Sequence, residues 1–88
     1  MISRMIEITN RRGLHARASA KFVTLASTLP ATVEVEKDGA RVVGTSIMGL
    51  MMLGAAIGDT VTISASGDGA EAAVAALVEL VESKFGEE

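Results

Sequence analysis

The chain has 88 residues, a formal charge of −3, no cysteine, and two phenylalanines as its only aromatic residues. That length supports one domain, residues 1–88, with a single small core. The acidic balance and the shortage of rings for stacking argue against a nucleic-acid surface, and the absence of thiols excludes disulfide and cysteine chemistry, consistent with a reducing cytoplasm.

Met1-Ile2-Ser3-Arg4-Met5 has neither the apolar run nor the cleavage pattern of a signal peptide. The most apolar stretch, Ile47 to Ile57, is broken by Gly49 and Gly54 and is well short of the roughly 20 residues that cross a bilayer. We therefore expect a soluble protein without membrane insertion.

Ile2 to Thr9 alternates as a strand does, with Ile6 and Ile8 on one face and Glu7 and Thr9 on the other. Gly13 then permits a tight bend. A helical pattern from Ala16 to about Ser27 sets Ala18, Phe22, Leu25, Ala26 and Leu29 on one stripe, with Arg17, Lys21 and Thr24 near the opposite side. Pro30 marks its end.

His15, the only histidine, falls at the N-cap of this helix. The first N–H groups of a helix lack internal acceptors and the helix dipole is positive there, so an anion is stabilised and a neutral, nucleophilic imidazole is favoured over imidazolium. Arg17 can aim a guanidinium fork at phosphate oxygens. Nucleophile, cation and free N–H groups so close together suggest phosphoryl transfer onto an imidazole nitrogen. The blander reading of the same residues is a polar cap on a surface helix. With no Cys, Asp or Glu nearby, His15 is a poor metal ligand, so no metal is expected, and no cofactor is implied.

Thr32 to Lys37 alternates again, Val33 and Val35 inward, and Asp38-Gly39 supplies what a type I′ hairpin turn requires, with Ala40 to Val43 returning. Ser46 or Thr45 caps a short helix, Ile47 to Leu53, that ends near Gly54. If Leu50 and Leu53 point inward, some of Ile47, Met48, Met51 and Met52 are left near solvent. Adaptable methionines in an exposed patch suggest docking; a wholly buried short helix is the alternative.

Ala55 to Asp59 reads as a loop and Thr60 to Ser66 as a strand with Val61, Ile63 and Ala65 on one face. Asp68 as N-cap with Glu71 three residues later resembles a capping box. The closing helix runs to about Lys84, burying Val74, Leu77, Val78 and Val81 and leaving Glu71, Glu79 and Glu82 in water. Phe85 is expected to cover the end of the core and Gly86-Glu87-Glu88 to fray. The order β-α-β-β-α-β-α describes an α+β open-faced sandwich, a four-stranded antiparallel sheet with three helices on one face.

Gly13-Leu14-His15-Ala16-Arg17-Ala18-Ser19-Ala20, following Asn10, resembles the active-site segment of HPr, the histidine-containing phosphocarrier family of the bacterial phosphoenolpyruvate-dependent sugar phosphotransferase system. Thr45-Ser46-Ile47-Met48-Gly49-Leu50-Met51-Met52-Leu53 is similar to that family's second signature, and the lengths and order of elements agree over essentially the whole chain. The resemblance implies the HPr-like sheet order 1-4-2-3, with the first and third helices antiparallel over the sheet. It implies that His15 accepts a phosphoryl group on Nδ1 from Enzyme I and passes it to IIA components, as a stoichiometric carrier and not an enzyme. Arg17 and the backbone N–H groups of Ala16 and Arg17 would stabilise the transferring oxygens.

A carrier must bind and leave donor and acceptor in turn, which suits one modest apolar patch of Ile47, Met48, Met51 and Met52. Arg17, with Arg11, Arg12 and Lys21, would rim it against acidic partners. In some family members a serine kinase, reversed by a phosphorylase, modifies the residue matching Ser46, which would set a dianion beside the patch. A monomeric cytoplasmic protein is implied. One departure is Ala18, where many members carry a proline that stiffens the first helical turn. Two further readings are a carrier of the paralogous nitrogen-related relay, and a small non-catalytic ligand-binding domain in which His15 and Arg17 are incidental.

Overall fold

A computed structural model describes residues 1–87 and sets seven segments in the expected order. These are β1 Ile2–Glu7, α1 Ala16–Ser27, β2 Thr32–Lys37, β3 Ala40–Val43, α2 Ile47–Met52, β4 Thr60–Ser66 and α3 Ala70–Glu82. β4 lies between β1 and β2, and β3 flanks β2, so the antiparallel order is β1-β4-β2-β3. The register pairs Ile6 with Val61 and Val35 with Ile63. Strand alternation then places Ile6, Val33, Val35, Val61, Ile63 and Ala65 on one buried face, and the other face carries Glu34, Glu36, Thr62 and Ser64.

α3 packs on β1 and β4, and α1 packs against α3 and α2. The apolar stripes of the helices close the core over the sheet: Ala18, Phe22 and Ala26 of α1 with Ala73, Val74, Leu77, Val78 and Val81 of α3 are buried. Phe22, Leu50, Ile63, Leu77 and Phe85 are among the largest fully buried side chains, each contributing about 1.5–3 kcal/mol by leaving water. The hairpin between β2 and β3 has positive φ at both Asp38 (51°) and Gly39 (85°), as a type I′ turn demands. Among the described residues no helix is long and apolar enough to cross a membrane.

Four expectations need correction. β1 ends at Glu7, because Ile8 turns its backbone to the loop before β4, donating to Asp59 O at 2.8 Å and accepting from Gly58 N at 2.8 Å. Asp68 is not an N-cap. Gly69 holds that position at φ 73° with no side-chain cap, and Ala70 N closes a turn on Gly67 O at 3.3 Å; the exposed Asp68 carboxylate stays outside it. α3 stops at Glu82, and Lys84–Gly86 form a separate tight turn that buries Phe85. Nor does the tail fray at Glu87, which is fixed against the loop before α1. Glu88, expected to fray with it, lies outside the described residues.

Candidate functional site

The loop from Asn10 to His15 is built on one buried amide and one glycine. Asn10 is fully buried; its Nδ2 donates to Gly13 O at 2.8 Å, while Gly13 N donates back to Asn10 O at 3.2 Å. Gly13 has φ 65°, and a Cβ placed there would stand 2.3 Å from Ala55 O. Only glycine allows that approach. It lets Leu14 N donate to Ala55 O at 2.9 Å, a seam joining the loop before α1 to the loop after α2.

His15 follows as the N-cap of α1, with extended backbone (φ −73°, ψ −179°) and its Nδ1 accepting from Arg17 N at 3.2 Å. Ser19 N donates to His15 O at 2.9 Å, and the buried Ser19 Oγ donates to Leu14 O at 3.1 Å, pinning the first turn from beneath. The other ring nitrogen, Nε2, lies 2.6 Å from Glu87 Oε2, with the two side chains 15% and 17% exposed. A nitrogen that accepts from an amide holds a lone pair, and one that faces a carboxylate acceptor carries the proton. These partners assign the Nε2–H tautomer, leaving the Nδ1 lone pair toward the helix N-terminus.

Glu87 Oε1 also accepts from Asn10 Nδ2 at 3.2 Å. Burial by itself raises the Glu87 carboxyl, but the hydrogen bonds from His15 and Asn10, with the nearby charge of Lys21, outweigh it and hold the group below the ordinary carboxylate value. Arg11, Arg12 and Arg17 line a cleft of about 560 Å³ together with Glu87, so three arginines share a cleft with the one carboxylate, whose own contacts are to His15 and Asn10. Lys21, expected on the cationic rim, donates from Nζ to Phe85 O at 2.7 Å. Among the described residues no group of three His, Cys, Asp or Glu side chains could hold a metal ion.

Beside α1, α2 presents the second set of candidate residues. Ser46, and not Thr45, is its cap: Ser46 Oγ accepts from Gly49 N at 2.9 Å. Leu50 is fully buried and Leu53 nearly so. Met48 and Met52 are 72% and 80% exposed, with Ile47 and Met51 exposed as well, which removes the alternative of a wholly buried helix. Val43 and Ile57, not singled out from the pattern, are exposed apolar residues too.

Glu87 is the site residue that sequence reasoning missed, and Asn10 was named only beside the resembling segment, with no role of its own. Asn10 reads as an ordinary loop residue, and Glu87 reaches His15 and Asn10 from 72 and 77 positions away, beyond any local pattern. The one available signal was Phe85, a large apolar residue placed so near the end that it had to fold back to be buried.

The family pattern described as "PTS HPr component phosphorylation site" matches residues 2–83. The phosphocarrier protein HPr of Cupriavidus necator is 45% identical over 87 residues, covering 99% of this chain and 98% of its own. The phosphocarrier protein NPr of Shewanella violacea is 37% identical over 86 residues, 98% of this chain and 94% of its own. A crystal structure of HPr from Thermoanaerobacter tengcongensis superimposes with a TM-score of 0.96 at 52% identity, covering 100% of this chain and 99% of that one.

Proposed function

The chain belongs to the HPr family of the phosphotransferase system, and from that premise we propose that His15 is the residue that carries the phosphoryl group, on Nδ1. The protein is a stoichiometric phosphoryl carrier and not an enzyme. What supports the choice of His15 is its place at the start of α1, with the Nδ1 lone pair against the Arg17 amide.

Transfer then runs as follows. A phosphorylated Enzyme I presents its phosphorus in line with Nδ1; the Nδ1 lone pair forms the new N–P bond while the donor's bond to phosphorus breaks and its electron pair returns to the donor. Charge in such a transition state is spread over the equatorial oxygens. The Ala16 and Arg17 amides meet those oxygens, as does the Arg17 guanidinium. The Arg17 N–H is released by the reaction itself, since Nδ1 no longer accepts from it once phosphorylated. Running the step in reverse delivers the group to a IIA component.

The exposed patch of Ile47, Met48, Met51 and Met52 serves both partners in turn, and Arg11, Arg12 and Arg17 steer acidic surfaces toward the site. Lys21 contributes to that rim only through the protons not given to Phe85 O. Phosphorylation of Ser46 by a serine kinase, reversed by a phosphorylase, would put a dianion at the start of the short helix that carries the patch and repel an acidic partner. A monomer working in the cytoplasm suits this relay. The sugar relay is preferred to the nitrogen-related one because identity is 45% to the HPr relative and 37% to the NPr relative. The non-catalytic ligand-binding reading does not survive the family assignment.

Incubation with Enzyme I and labelled phosphoenolpyruvate tests the proposal. The label should be acid-labile and base-stable and should vanish in His15→Ala; label that persists in that variant removes the assignment.

A further inference from the structure

After α3 the chain enters the left-handed region three times in succession, at Lys84 (φ 58°), Phe85 (φ 56°) and Gly86 (φ 75°). L side chains rarely adopt that conformation, and here it is over-determined. The Phe85 ring is fully buried, its carbonyl accepts from Lys21 Nζ at 2.7 Å, and the turn is closed by Gly86 N to Ser83 O at 3.0 Å and Glu87 N to Lys84 O at 2.9 Å. The reversal brings the Glu87 carboxylate to the edge of the His15 ring opposite the helix. Both of its oxygens are engaged, Oε2 by His15 Nε2 at 2.6 Å and Oε1 by the buried Asn10 amide at 3.2 Å. Nδ1, on the other side of the ring, faces the start of α1 and accepts from Arg17 N at 3.2 Å, a contact that an incoming phosphorus displaces.

We propose that Glu87 is a positioning residue for phosphoryl transfer: its carboxylate keeps the proton on Nε2, fixes the ring with Nδ1 toward the phosphorus, and stabilises the positive charge the ring acquires. This rests on the reading that His15 is the carrier. When the Nδ1 lone pair becomes an N–P bond the proton stays on Nε2, so a neutral ring becomes cationic while its bond to Glu87 is already made. A contact that strengthens as the reaction proceeds lowers the barrier, whereas one of equal strength throughout does not. The carboxylate does not repel the phosphoryl group, because Arg11, Arg12 and Arg17 share its cleft.

The test compares the full chain with Glu87→Ala and Glu87→Gln, measuring single-turnover phosphorylation by Enzyme I, thermal unfolding, and the His15 imidazole N–H signal by NMR. A bond to a carboxylate holds the Nε2 proton against exchange with water, so the parent shows that signal and Glu87→Ala loses it. Loss of one such partner lowers the transfer rate about tenfold, the lower end of what removal of a ring-orienting carboxylate does at metal-bound histidines. Glu87→Gln, which still accepts from Nε2–H but lacks the charge, keeps the signal and recovers part of the rate. Both variants stay folded at the assay temperature, and the part of the rate that Glu87→Gln recovers separates positioning from the tail's share of stability. A Glu87→Ala rate within twofold of the parent's, whatever its spectrum, overturns the proposal. Failure of the underlying reading is distinct, since the parent itself would then take no phosphoryl group on His15.

Discussion

Gly13→Ala places a methyl group where the Ala55 carbonyl now lies. The new Cβ would stand 2.3 Å from Ala55 O and 2.9 Å from Ala56 Cα, at a residue with φ 65°. A left-handed alanine costs about 1–2 kcal/mol more than glycine. The carbonyl cannot retreat without loosening the 2.9 Å bond it accepts from Leu14 N, a further 0.5–1.5 kcal/mol, roughly, for one net hydrogen bond. Against this, alanine orders the unfolded chain less expensively by about 0.4–1 kcal/mol. The sum is a destabilisation of about 2 kcal/mol, which for a domain of this size lowers the melting temperature by about 8–16 °C. Because the seam also places His15 relative to α2, phosphoryl transfer falls even at temperatures where the variant remains folded. Calorimetry with a parallel transfer assay checks both. A melting point within 2 °C of the parent's, roughly half of the smallest shift that 1 kcal/mol produces, would refute the steric account.

Three further outcomes follow from the same geometry. The Glu87 carboxyl, followed by carbon NMR, titrates below the ordinary value of 4.5. The stabilisation from its contacts is therefore complete above the ordinary range and lost as pH falls through the depressed folded value; His15→Ala removes a bond while burial persists, and the titration moves upward. A parent inflection at or above 4.5 contradicts the paired tail. Met48→Glu weakens binding to Enzyme I about tenfold or more, the scale of an interface anchor, with unfolding unchanged because Met48 is 72% exposed; a collapse in stability would show it to be core. Ser46→Ala loses the acceptor for Gly49 N and about 1 kcal/mol of stability in urea unfolding, and an unchanged midpoint would mean the cap is idle.

What could be read from the residues was governed by local repetition. Val33, Val35, Val61, Ile63 and Ala65 alternate and are buried as alternation requires, and α1 runs from Ala16 to Ser27 where its stripe places it. The exposed methionines were legible because a helix of six residues cannot bury every side chain in IMGLMM. The readings that failed depended on tertiary placement. A backbone turn at Gly67 and Gly69 took over the start of α3 and left Asp68 outside. Glu87 looked like a solvated tail residue because its partners, Asn10 and His15, are brought to it only after Phe85 is buried. The half of the site that presents Nδ1 was thus visible in eight consecutive residues; the half that holds Nε2 was not.

The most direct measurement is NMR of the phosphorylated protein, uniformly labelled with nitrogen-15, to find which ring nitrogen bears phosphorus. A one-bond coupling between phosphorus and Nδ1 of His15, with the proton remaining on Nε2, is the predicted result. Coupling to Nε2, or a phosphoryl group on any other residue, would contradict the account.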